Sequence, residues 1–234
     1  MITLRHLGMS GLAIAVDGAE VLCDPPTPGP EPAILTWSET DRVAGARGRS
    51  LAADPRVLAW LGASGLGLIP DHPVPFAGFE LQASAYIPIP YATAPEALRK
   101  LRSALRSPRF ALDRVWRTLG RPDAPPLVVE LRRGPLRVVH AGQSLHRFLS
   151  AAALDLLVSR HGRPDVLIAG TDYDDEVATG RAMGAFDARH TVLIDSIGPV
   201  RRRLGLPVRP LRVCLDAAPP HTHALPEGGR LELR

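Results

Sequence analysis

Lysine is nearly missing from this chain of 234 residues: of its 28 basic side chains only Lys100 is a lysine, the other 27 being arginines. Cysteine is just as scarce. Cys23 and Cys214 are the two cysteines, each inside an apolar run. One distant pair makes no disulfide scaffold and reads as buried free thiols in a reducing, cytoplasmic setting. No apolar stretch approaches the roughly 20 residues that a membrane-spanning helix needs. The opening Met1-Ile2-Thr3-Leu4-Arg5-His6 lacks the basic and long apolar regions of a secretory leader. What is present, 45% hydrophobic and 22% charged residues, excludes disorder and collagen. The length allows a sizeable core, read as one domain over residues 1–234.

The net charge of +4 is unevenly placed. Between Pro95 and Arg121, eight basic residues stand against Glu96 and Asp113, giving this segment +6 and the rest of the chain −2. Leu98, Leu101 and Leu105 share one helical face. After Pro108, so do Leu112, Val115, Trp116 and Leu119. The segment is predicted to be a basic amphipathic helical hairpin, suited to a membrane surface or an anionic partner; a solvated helical cover explains it equally. Nucleic acid is not expected: Phe110 and Trp116 are its only aromatics, too few for a stacking platform. The arginine bias, alongside 24 prolines, reads as GC-rich coding. Nothing in the sequence names a protein partner.

The remainder alternates strands with helices. Ile2–Leu7, Leu12–Val16 and Glu20–Cys23 read as strands, with Asp17-Gly18 as a tight hairpin turn. Further strands are expected at Ala33–Thr36, Leu66–Ile69, Phe79–Tyr86, Leu127–Leu131, Leu136–Val139, Pro164–Gly170, Val192–Asp195, Leu211–Leu215 and Leu231–Arg234. Helices are expected at Arg56–Leu61, Ala151–Ser159 and around Val200–Leu204. The chemistry-bearing loops follow strands, as in an α/β domain whose site is built at strand ends.

Four segments together carry a resemblance. They are Ile2–Gly11 with Leu22-Cys23-Asp24-Pro25, Ala33–Thr36, Val139-His140-Ala141-Gly142 and Pro164–Leu167. In this order and spacing the chain resembles the metallo-β-lactamase superfamily, in its lactonase-like and phospholipase-D-like branches. The resemblance covers most of the chain and implies an αββα sandwich: two mixed sheets face to face, helices outside, the site along one edge.

It also implies a Thr-His-x-His-x-Asp-His metal loop. Here that loop reads Thr36-Trp37-Ser38-Glu39-Thr40-Asp41-Arg42, and only Asp41 matches. By the same resemblance further ligands fall at Ile87, at Gln143 and at Asp195. An indole N–H, a guanidinium and an alkyl chain have no lone pair for zinc. Trp37, Arg42 and Ile87 therefore cannot ligate it, and Gln143 is a weak neutral donor. Zinc is not expected. Glu39, Asp41 and Asp195 would gather three carboxylates, which need compensation. Either Arg42 stands where the metal sat, or a hard cation such as Mg²⁺, Mn²⁺ or Ca²⁺ takes oxygen ligands. The sequence thus leads to a non-catalytic binding or regulatory protein with a small-molecule or anionic ligand. The alternatives are a repurposed ester, lactone or phosphodiester hydrolase, metal-free with Asp41 or Glu39 as base and Arg42 as electrostatic stabiliser, or one using an oxygen-ligated metal.

Other residues carry two readings each. His140, at a strand end, is a general base or a hydrogen-bonded structural histidine. Asp172 belongs to an acidic run with Asp174, Asp175 and Glu176 that lacks the glycine turn of a calcium loop; it caps a helix or borders the pocket. His146 is an anion ligand or a surface helix start. His221 and His223 have strand-like spacing for a metal, yet sit in a proline-rich stretch with no third ligand nearby in sequence.

Overall fold

The structure, a computed structural model, describes residues 1–8, 10–25, 31–35, 57–59, 73–85, 127–142, 145, 149–171, 176–196, 198, 202, 208 and 211–234. Its first strands follow the alternation of the opening sequence. Strands β1 (Ile2–Gly8), β2 (Gly11–Val16) and β3 (Ala19–Cys23) form an antiparallel meander. Asp17, with φ 45°, and Gly18, with φ 83°, make the turn, both left-handed as a two-residue hairpin requires. Beyond β3, β4 (Ala33–Leu35) and β5 (Val57–Ala59) add in parallel. β13 (Arg230–Leu233) closes the other side against β1, giving a six-stranded sheet in the order β13-β1-β2-β3-β4-β5.

The second sheet has seven strands, ordered β12-β11-β10-β9-β8-β7-β6. β6 (Val74–Phe76), β7 (Phe79–Ala85), β8 (Leu127–Arg133) and β9 (Leu136–Gly142) are antiparallel. β9, β10 (Val166–Gly170), β11 (His190–Ile194) and β12 (Thr222–Leu225) are parallel. Between the sheets lies a core that includes Leu4, Ile14, Val21, Ile34, Leu81, Val129, Val138, Ile168 and Val192. A second core joins the outer face of the seven-stranded sheet to the described helices, α1 (Ala151–His161), α2 (Glu176–Ala185) and α3 (Leu211–Leu215). Two mixed sheets packed face to face with outer helices are the expected sandwich.

Three expectations are corrected. Val57–Ala59, expected within a helix over Arg56–Leu61, is a strand paired to β4; a short apolar run carries no period that separates the two. Leu211–Leu215, expected as a strand, is helical. Leu211, Cys214 and Leu215 pack on the outer core while Val213 is exposed, which is i, i+3, i+4 spacing. His223, expected in a loop, lies in β12 beside β11. Leu66–Ile69 and the basic segment Pro95–Arg121 lie outside the described residues.

α1 is fixed at both ends. The Ser150 hydroxyl accepts from the Ala153 N–H at 3.1 Å, an N-cap. At the other end His161, fully buried, meets a polar network on the outer face of β8. Its Nδ1 is 2.8 Å from Glu130 Oε2 and its Nε2 is 2.8 Å from Ser84 Oγ. An ionised carboxylate only accepts, so Nδ1 carries the proton. Glu130 also accepts from Arg137 Nε at 2.8 Å and Nη2 at 3.2 Å, and from Arg132 Nε. Burial alone would raise the Glu130 pKa; the bonds from His161, Arg137 and Arg132 outweigh it and hold the carboxyl far below its usual range.

Candidate functional site

Four parallel strands of the second sheet end on one edge, and the first sheet brings β1 and β3 to the same edge. Side-chain alternation decides what faces inward there. Leu4 of β1 and Val138 of β9 belong to the inter-sheet core, so His6 and His140, two residues on, point into the same layer. Both are buried, at 1% exposure. Asp24, at the end of β3 and also buried, has φ 46°, a left-handed backbone that Asp tolerates better than most residues. Its N–H donates to the Ile34 carbonyl at 2.8 Å.

The His140 ring is the anomaly of this edge. Neither ring nitrogen has a hydrogen-bond partner among the described residues. Nε2 is 3.9 Å from Asp24 Oδ2, beyond hydrogen-bond reach. Burial first, then the neighbouring His6, pushes its pKa down to about 4. At neutral pH the imidazole is uncharged, offering one donor and one acceptor, and makes no ion pair with Asp24. Each unmet buried polar group costs on the order of 1–3 kcal/mol, so the fold tolerates this ring without rewarding it. Thr171 Oγ1, just past the end of β10, is likewise unpartnered among the described residues. Cys23 is no nucleophile: burial, and then Asp24, raises its thiol pKa well above the ordinary value.

Backbones are tightly apposed here. A Cβ on Gly170 would stand 2.3 Å from Ser196 Oγ and 3.0 Å from the Gly142 carbonyl, so only glycine lets β10 end between its neighbours. Past β11, Asp195 Oδ1 accepts from the Gly198 N–H at 2.8 Å and Oδ2 from Arg202 Nη1 at 3.4 Å. Arg202 Nη2 also donates to Glu227 Oε2 at 2.8 Å. Asp195 therefore has a cationic neighbour in Arg202.

Of the expected site residues, His140 and Asp195 lie at this edge. Trp37, Glu39, Asp41, Arg42, Ile87, Gln143 and Asp172 lie outside the described residues, as does His146. Asp24 and His6 were missed as site residues, although inward alternation from Leu4 marks His6. Arg202 left no signal, lying in a run of three arginines. Among the described residues no three His, Cys, Asp or Glu side chains converge to hold a metal ion; residues 36–42, 87 and 143 are not among them.

The buried order Ser84–His161–Glu130 is that of a nucleophilic relay. Ser84 is wholly buried, however, and two arginines also occupy the carboxylate, which makes it a structural tie.

Solved structures share this architecture. Igni18, a metallo hydrolase from Ignicoccus hospitalis, superposes with a TM-score of 0.58 at 12% identity, covering 100% of this chain and 99% of that one. The metallo-β-lactamase fold protein YhfI from Bacillus subtilis gives 0.55 at 12% identity, covering 99% of each chain. An isothiocyanate hydrolase from Delia radicum gut bacteria gives 0.56 at 15% identity, again covering 99% of each. No protein-family model and no curated protein matches the sequence. The chain has the metallo-β-lactamase fold, and its structural neighbours include metallo-hydrolases. No described helix is long and apolar enough to cross a membrane.

Proposed function

We propose that this chain uses the metallo-β-lactamase fold to bind a small polar ligand without the fold's zinc chemistry, as a binding or regulatory protein. The observation that supports it is His140: a buried, uncharged imidazole at the site edge with both nitrogens unmet. A ligand placing one acceptor and one donor there would satisfy both, and Arg42 would attract an anionic group. Replacement of zinc donors by Trp37, Arg42 and Ile87 supports the same reading. Elemental analysis after exhaustive dialysis tests it. We expect no zinc retained at this edge; one or two zinc ions per chain that persist in a His190→Gln/His223→Gln background would overturn it.

The second reading is a repurposed hydrolase, favoured by the hydrolases among the structural neighbours. Asp41 or Glu39 would act as base, with His140 beside the reacting group. Turnover of a generic ester or lactone by metal-free protein, lost in Asp41→Asn, would establish this reading over the first. An oxygen-ligated cation on Glu39, Asp41 and Asp195 would instead show as stoichiometric manganese or magnesium. The basic segment 95–121 is proposed as a contact for anionic membrane surfaces, tested by co-sedimentation with phosphatidylserine vesicles.

A further inference from the structure

The opposite rim of the inter-sheet layer also ends in histidines. His190 is the first residue of β11, and His223 lies in β12, opposite Val192 in the register. Val192 faces the inter-sheet core, so His190 and His223 point to that same face. Their ring centroids are 5.6 Å apart with planes tilted 47°, which is not a stacked pair. Both rings are half-buried. Both nitrogens of His190 and Nε2 of His223 are shielded from solvent and make no well-aligned hydrogen bond among the described residues, the Arg234 backbone lying near His190. Burial and then the neighbouring His223, Arg189 and His221 lower the His190 pKa, the Arg234 backbone offsetting this only partly.

The spacing has a chemical meaning. A metal ion bound at 2.0–2.1 Å by a ring nitrogen lies about 3.2 Å from that ring's centre, so two such rings at angles of 109–120° have centres roughly 5.2–5.5 Å apart. The observed 5.6 Å requires only a small ring adjustment. We propose that His190 and His223 form a two-imidazole clamp for a first-row divalent transition metal such as Cu²⁺, Ni²⁺ or Zn²⁺. Water completes the coordination, since three convergent donors are not found among the described residues. Imidazole nitrogens suit these ions and not Mg²⁺ or Ca²⁺, and Cu²⁺ binds most tightly in the series. His190 and His223 stand at the start of β11 and β12, whereas Asp195 and Ser196 follow the end of β11. The clamp is thus separate from the candidate site and independent of its function.

Titrating the full-length protein with Cu²⁺ at neutral pH, followed by electron paramagnetic resonance, tests the clamp. The expected spectrum shows hyperfine splitting from two imidazole nitrogens at one ion per chain. His190→Gln or His223→Gln should weaken that binding at least about tenfold and lose the two-nitrogen pattern. An unchanged spectrum or affinity in both variants overturns the proposal. As a check that needs no variant, Zn²⁺ should protect His190 and His223 from diethyl pyrocarbonate in the unmodified chain. Equal modification with and without Zn²⁺ also overturns it.

Discussion

Glu130 and His140 are both buried, on neighbouring strands of one sheet, yet they meet opposite fates. Glu130 opposes Val139 and faces the outer helices; His140 opposes Val129 and faces the inter-sheet layer. Around Glu130, His161, Arg137 and Arg132 together saturate the carboxylate. Around His140 no group among the described residues completes a hydrogen bond. Both desolvations are unfavourable. One is offset inside the fold and ties α1 to β7 and β8. The other has no offsetting hydrogen bond among the described residues.

The sharpest way to break this contrast is to remove Glu130. Glu130→Gln leaves Arg137 and His161 facing a neutral amide and should destabilise the protein by about 3–5 kcal/mol in urea unfolding. A loss below about 1 kcal/mol would mean the network contributes little.

A pH titration follows in size. The His140 pKa is 6.5 when unfolded and about 4 when folded, so between those values the unfolded chain binds more protons. Its contribution is intact above pH 6.5 and is lost as pH falls towards 4, by roughly 3 kcal/mol in total. Glu130 acts in a lower window, its contribution being lost only as pH falls below about its ordinary 4.5. His140→Leu should flatten the loss between pH 6.5 and 5. At pH 7 it should leave stability equal or raise it by about 1–2 kcal/mol, because no unmet nitrogens remain. Marked destabilisation at pH 7 would show that His140 has an internal partner after all.

Gly170→Ala probes the tight end of β10. With no room between Ser196 and the Gly142 carbonyl, it should cost about 1–3 kcal/mol, read as a lowered Tm. Arg202→Ala gives the smallest effect. The side chain is 49% exposed, so solvent screening limits the loss to under about 1 kcal/mol; a larger loss would make Asp195 dependent on Arg202.

Much of the fold was legible from local pattern. Alternation from Ile2 to Cys23, the Asp17-Gly18 turn and the buried runs at Val138 and Val166 each give an element without reference to distant residues. Misreadings fell on short, largely apolar segments of three to five residues, Val57–Ala59 and Leu211–Leu215. Such short runs fit a strand or a helical turn, and only the surface they meet chooses. The site was legible in part: Asp24 lies in the opening motif and His140 at a strand end, but neither announces the other.

The sequence by itself determined most of the strands and the sandwich they suit. Tertiary structure alone decided which buried polar groups would find partners. Glu130 and His161 are separated by 31 positions, and His190 and His223 by 33. Whether a buried charge or lone pair is satisfied depends on hydrogen-bond distances of about 3 Å. The folded chain sets those distances; local sequence does not.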